Sequence, residues 1–342
     1  IYDWSETNEP DLVTNKDAAR GKWINGELQW TQRYFDNHKV LAGVDFQYNI
    51  TQDQENYDLE VYLDDKRDSS RWGIFLQDEI NLTEQWHLHL AIRYDDPETI
   101  TGQFSPRAAL IYNPWESTSI KFMYGRSFRA PNFFELYYFD TFSQIAPEHL
   151  DAEIISSYEA VLEHNFERDL RFSFSFFYNQ IENLIDQTID PATEFTVLAN
   201  VGDAEVYGLE TELEANFTEW GLYGKMSYSY QVSQDNSQQA LTNSPQHMFK
   251  FNIDKSFWED ALIVATELRY MSGRKARGDN VSDHVVQNLS ISSYDLIPGV
   301  KFTGSIYNLF NKQYSDPAGI EHLQNAIPQD GRLFRLQLAY QF

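Results

Sequence analysis

Strict period-two alternation over long stretches is the feature that most constrains this chain. From Trp86 to Tyr94, Trp86, Leu88, Leu90, Ile92 and Tyr94 fall on one face and His87, His89, Ala91 and Arg93 on the other. Leu170, Phe172, Phe174, Phe176 and Tyr178 alternate in the same way with Arg171, Ser173, Ser175, Phe177 and Asn179. Leu222, Gly224, Met226, Tyr228 and Tyr230 do so with Tyr223, Lys225, Ser227, Ser229 and Gln231. Successive side chains of a strand point to opposite faces, so each segment reads as a strand with one greasy and one wet side. Aromatic residues gather near the ends of the greasy rows, as they do where strands cross a bilayer. Abundant aromatic residues, 15% of the chain, in a sequence of polar mean hydropathy suit a wall between two solvents.

The connections between these segments alternate in length. Short ones fall near 36–37, 83–85, 114–117, 167–168, 218–220, 258–260 and 297–299. Longer ones fall near 51–69, 97–102, 127–152, 188–193, 235–245, 275–283 and 311–330. Short turns at one rim and longer loops at the other describe a bacterial outer-membrane barrel. The predicted strands are 19–35, 38–50, 70–82, 86–96, 103–113, 117–126, 153–166, 169–187, 194–217, 221–234, 246–257, 261–274, 284–294, 299–310 and 331–342. Their number, about 15, is odd, whereas single-chain bacterial barrels have even counts. The expectation is therefore that further strands precede this sequence and that 1–18 is the end of a long extracellular loop.

Other classes are excluded by simpler features. No stretch approaches the roughly 18 consecutive apolar residues of a membrane helix. There is no Cys, hence no disulfide framework and no thiolate metal site. A net charge of −26 argues against nucleic acid, whose phosphates demand a basic face. The chain begins at Ile1 without a charged-then-apolar leader. No Gly-x-Ser-x-Gly elbow and no His-Glu-x-x-His is present, so an outer-membrane enzyme is not expected, and neither is a cofactor.

The final strand carries Phe334, Leu336, Leu338, Tyr340 and Phe342 on one face. It looks like the C-terminal strand of outer-membrane proteins that the barrel-assembly machinery recognises, an amphipathic edge with an aromatic end. Several further segments resemble TonB-dependent receptors. They are Phe104-Ser105-Pro106-Arg107-Ala108, Tyr124-Gly125-Arg126-Ser127-Phe128-Arg129-Ala130-Pro131-Asn132-Phe133, Ser157-Tyr158-Glu159, Asn200-Val201-Gly202 through Tyr207-Gly208-Leu209-Glu210, and Tyr307-Asn308-Leu309-Phe310-Asn311. Their order across residues 70–342 carries the resemblance. It implies an all-β transmembrane antiparallel barrel, with about 15 strands here of the 22 that plugged outer-membrane transporters use, the plug lying outside this sequence. It also implies a Gram-negative outer-membrane location, bathed in lipid and lipopolysaccharide, and partnership with the TonB energy complex through that plug. The ligand expected by analogy is a ferric siderophore, with haem or cobalamin as alternatives. A passive channel would share the alternation but not these segments.

Candidate sites are few. Phe128-Arg129-Ala130-Pro131 resembles the motif of haem receptors, which follow it with a histidine and an Asn-Pro-Asn-Leu box; Ala146-Pro147-Glu148-His149-Leu150 departs from that box. His149 is the haem-ligand candidate, with His284 and His322 near other loops. Arg126, Arg129, Arg274, Lys275 and Arg277 fall at the predicted outer rim, where they could attract an anionic chelate, with Asn132 beside them. They could equally bind lipopolysaccharide phosphates or be solvated. Asp64, Asp65 and Asp68 in the acidic stretch 51–69 are candidate Ca²⁺ ligands without EF-hand spacing. Glu210, Glu212 and Glu214 share one strand face about 7 Å apart, which reads as carboxylates meeting water or a plug rather than as a catalytic set.

Overall fold

The structure is a computed structural model, and it describes residues 2–8, 11–140, 143–167, 169–319 and 322–341. The strands in chain order are β1 (Tyr2–Asn8), β2 (Asp11–Tyr34), β3 (His38–Tyr57), β4 (Val61–Asp65), β5 (Ser69–Asn81), β6 (Trp86–Pro97), β7 (Gln103–Trp115), β8 (Thr118–Arg129), β9 (Gln144–Ile145), β10 (Glu153–Phe166), β11 (Leu170–Ile189), β12 (Thr196–Phe217), β13 (Leu222–Asp235), β14 (His247–Phe257), β15 (Leu262–Met271), β16 (His284–Ile297), β17 (Val300–Tyr307), β18 (Ser315–Pro317), β19 (Ala326–Pro328) and β20 (Leu333–Tyr340). One short helix, α1 (Phe133–Tyr137), follows β8. No described helix is long and apolar enough to cross a membrane. The alternation therefore becomes strand wherever it was read, with boundaries within a few residues except at the start of β2 and the end of β3.

The chain divides into two compact units. The first comprises Ile1–Leu110, Met123–Ser157 and Gln180–Ala204. In it β2, β3, β5 and β6 form an antiparallel ladder. Its register puts Leu28, Val44, Ile74 and Tyr94 on one rung, and Trp30, Ala42, Leu76 and Ile92 on the next rung of the same face. The opposite face carries the charges. Arg93 there reaches Asp45 at 2.7 Å and donates two hydrogen bonds to Asp95 from Nε, while Lys39 pairs with Glu79 at 2.9 Å.

The second unit comprises Ile111–Phe122, Tyr158–Asn179 and Glu205–Phe342. It runs as an antiparallel meander β13–β14–β15–β16–β17–β20. The carboxylates of β12 find neighbours on their own face: Lys225 at 3.0 Å from Glu212, the Tyr223 hydroxyl donating to Glu214 and the Ser229 hydroxyl to Glu210. Gly208 permits close approach, since a Cβ there would collide with the Tyr230 carbonyl oxygen.

The greasy faces are not packed inside. Leu28 is 73% exposed and Trp30 50%. Isolated exposed apolar residues are ordinary, but contiguous rows of this extent mark a surface that meets another apolar phase. Buried apolar residues are few, and one cluster is Leu150, Ile185 and Leu198, against which Leu136 packs.

Three regions differ from the sequence expectation. Residues 11–18, expected as loop, belong to β2 and form a hairpin with β1 that pairs Tyr2 with Asp17 and Asn8 with Asp11. The stretch 51–69 is largely strand, because β3 runs to Tyr57 and β4 folds back on it, Gln54 facing Asp65. Residues 127–152 hold α1 rather than open loop. The C-terminal residue Phe342, on which the assembly-signal reading partly rests, lies outside the described residues.

Candidate ligand site

The segment following β8 is folded into a strap across the polar face of the first unit. Pro131 stops the strand, since it offers no N–H to a ladder. Asn132 then caps α1: its side chain accepts from the Glu135 amide at 2.9 Å, and the Glu135 carboxylate accepts from the Asn132 amide at 2.8 Å. Arg129 donates to both oxygens of Glu135, at 2.9 and 2.8 Å, and also to Glu153, which begins β10. These hydrogen bonds, to Glu153 first and Glu135 second, hold the guanidinium firmly protonated. Burial pushes the Glu153 carboxyl up, but Arg129 and the Ile185 amide outweigh it and leave the group below its ordinary range.

The far end of the strap is tied to β2 and β3. The Tyr138 hydroxyl donates to Asp17 at 2.8 Å, and burial, followed by Asp17, pushes that phenol up. Asn56, fully buried, donates to Asn15 at 2.8 Å and to Asp17 at 2.7 Å, and accepts from Asn15 at 3.2 Å. Gln54 donates to the Phe133 carbonyl, and Arg67 sits 3.5 Å over the Tyr137 ring. Beneath, Asn200 accepts from the Asp151 amide and donates to the carbonyls of Asp151 and Asn183. Asn200 thus serves the strap, which gives a physical meaning to one of the family-like segments.

Between the strap's start and the wall lies a cavity of about 440 Å³. Along it runs a hydrogen-bonded chain of side chains. Arg71 donates to Gln47 at 2.9 Å, Gln47 to Asn49 at 2.7 Å, Asn49 to Ser69 at 2.9 Å, and Ser69 to Gln52 at 2.6 Å. The amide orientations follow from this network. Gln52 Nε2 ends the chain and donates to nothing among the described residues. Phe128, Phe133, Pro97 and Pro131 supply apolar lining.

Not all the sequence candidates meet here. Arg129 and Asn132 line this cavity, but Arg129 is engaged by two carboxylates and Asn132 by its helix, so both hold the strap in place. Arg126 is not part of this cavity's lining. His149 is exposed and 3.2 Å from Asp151. In the second unit Arg274 is buried and ion-paired with Asp316 at 2.5 Å, while Arg277 donates to the His322 carbonyl at 2.8 Å. Lys275 donates to the Ala240 carbonyl, and the His284 ring stacks on Tyr314. These residues tie loops together. Asp64, Asp65 and Asp68 go three ways, to Lys66, to Arg67 and to the Tyr48 hydroxyl. Among the described residues no group of three or more His, Asp or Glu side chains is arranged to hold a metal ion. The amide chain was missed in the sequence; its only signal was the run of Gln and Asn at alternate positions 47 and 49.

A fold of strands with exposed greasy faces, charged opposite faces and an inward strap defines a membrane β-barrel protein. The family model described as TonB dependent receptor-like, beta-barrel matches residues 2–309, and the chain belongs to that family. It is 23% identical over 329 residues to the vitamin B12 transporter BtuB of Vibrio cholerae serotype O1, an alignment covering 92% of this chain and 49% of that protein. It is 24% identical to the iron-regulated outer membrane virulence protein of the same species, covering 99% of this chain and 56% of that one. Among solved structures, the ferripyoverdine receptor of the outer membrane of Pseudomonas aeruginosa superposes with a TM-score of 0.75 at 14% identity, covering 97% of this chain and 49% of that chain. The chain spans about half the length of the relatives it matches. The fold is that of the barrel of these receptors.

Proposed function

We propose that the whole protein imports a scarce nutrient, a ferric siderophore first of all, across the outer membrane by TonB-dependent active transport. The observation that carries this reading is the family membership of a wall whose apolar face is open and whose polar face bears an inward-folded strap over a cavity. In this reading the apolar rows meet lipid and lipopolysaccharide, the charged rows meet the hydrated interior, and the energy complex acts through a plug. The last strand, β20, would serve recognition by the barrel-assembly machinery. No step of covalent chemistry is assigned to any residue.

A second reading, cobalamin uptake, is favoured by the relative named as a vitamin B12 transporter. Haem gains nothing from His149, which is exposed and beside Asp151. The test is growth of a strain lacking the gene, with and without a functional energy complex, on defined iron and cobalamin sources. Loss of growth on one source, restored by the gene only when the energy complex works, is the expected result. Unchanged growth on every siderophore, haem and cobalamin source would contradict the nutrient reading.

A further inference from the structure

We infer that the cavity beside the strap is a ligand subsite built for an uncharged chelate rich in carbonyl and amide groups, and not for a polyanion. The inference rests on the import reading above and narrows its substrate class. The charged residues that line the cavity, Arg71 and Arg129 against Asp95 and Glu98, sum to zero, and the carboxylates around them make the surroundings negative. Arg129 is engaged by Glu135 and Glu153, and Asp95 by Arg93. Arg71 and Glu98 remain; Arg71 donates to Gln47, and Glu98 accepts from the Ser70 amide. One is positive and one negative, so the lining offers a polyanion no net attraction within a chain of net charge −26.

What the lining does offer is the oriented chain from Arg71 through Gln47, Asn49 and Ser69 to Gln52. Each link fixes the next side chain's orientation, and a satisfied network of this kind is rigid before any ligand arrives. Gln47 and Asn49 each use one N–H and part of the carbonyl in the chain and keep a second N–H and a lone pair, while Gln52 only accepts and keeps both N–H groups. Those spare donors and acceptors suit a ligand that presents both, such as a ferric hydroxamate or a corrin amide periphery. Phe128 and Phe133 can cover the ligand's carbon skeleton. A catecholate or carboxylate chelate would instead require several unpaired cations, and the lining holds one, Arg71, offset by Glu98.

The test uses the whole protein purified in detergent, with tryptophan fluorescence and calorimetry reporting binding. The probes are ferrichrome, a neutral ferric trihydroxamate; cyanocobalamin, also neutral; and trianionic ferric enterobactin. Binding of ferrichrome or cyanocobalamin at least tenfold tighter than ferric enterobactin is expected. Gln52→Ala should weaken the preferred neutral probe about 3- to 10-fold, the scale of one or two hydrogen bonds. Gln52→Lys should narrow the preference by improving enterobactin. A melting temperature unchanged in both variants would separate these effects from misfolding. Tighter binding of ferric enterobactin, or indifference of all three probes to both variants, would overturn the subsite while leaving uptake itself intact. Binding of cyanocobalamin alone would uphold the subsite and overturn the siderophore reading.

Discussion

The wall and the strap of the first unit handle apolar residues in opposite ways. On the wall, Leu28 and Trp30 stand at the surface, in rungs whose partners Val44, Ile74 and Leu76 are also exposed. In the strap, Leu150 is 1% exposed and closes on Ile185 and Leu198. The strap therefore buries its leucines in a small interior closed by β11 and β12. The wall has none, and its stability in water must come from ladder hydrogen bonds and from an apolar phase outside it. The polar groups differ in the same sense: the wall spreads its charges along one face, whereas the strap concentrates them in two ties at its ends.

This contrast predicts a graded set of effects on the strap, read by hydrogen exchange of residues 130–152 in the whole protein. The largest should come from Leu150→Ala, which empties a filled position and should cost about 2–5 kcal/mol of local stability. A loss below 0.5 kcal/mol, read on the same ~1 kcal/mol scale that separates surface from core substitutions, would mean the cluster is not the strap's interior. Asn56→Ala should follow, at about 1–3 kcal/mol, because it strands Asn15 and Asp17 at a fully buried spot. Arg129→Ala should cost about 1–2 kcal/mol, less than a buried pair, since the arginine is partly exposed and solvent screens it. Faster exchange confined to the Tyr138 end would show that Arg129 ties a different element.

Acid should act in the same place and more weakly. Glu153 sits below its ordinary value of 4.5 in the folded state. Its contribution is therefore complete above that value and is lost as pH falls through the lower folded value. The strap's protection factors, which divide out the pH dependence of intrinsic exchange, should be flat from neutrality to about pH 5 and should fall below it. Glu153→Gln should already exchange faster at neutral pH and lose the acid step; an acid step retained in that variant would assign it to another carboxylate. The smallest effect is expected from Leu28→Ala on the wall, where strap exchange should not change measurably.

The wall was legible in the sequence because its signal is local. Alternation and turn length are written residue by residue, and they located nearly every long strand. Parts of the family-like segments also acquire physical reasons: Gly208 allows a close backbone approach, and Asn308 binds the Asn288 side chain, the Lys312 carbonyl and the Lys312 amide in a tight turn at positive φ. The strap was not legible. Leu136 and Leu150 stand alone in their stretch, and the residues that bury them lie on β11 and β12. Arg129 read as a free cation because one of its carboxylates is 24 residues away in sequence. Likewise Asn56 finds its partners 41 and 39 positions earlier, across a register set by a bulge between Lys22 and Trp23.

One side of the wall meets lipid and the other does not, and neighbouring residues of β5 can report the difference. The chain has no cysteine, so Leu76→Cys and Gln77→Cys each create one labelling position in it, with any cysteine elsewhere in the whole protein replaced by serine. With a fluorophore at each site in the whole protein reconstituted into vesicles, acyl-chain nitroxide lipids should quench the label at 76 strongly and leave that at 77 nearly untouched. Equal quenching of the two, or quenching of 77 alone, would show that the apolar row of the wall does not face lipid.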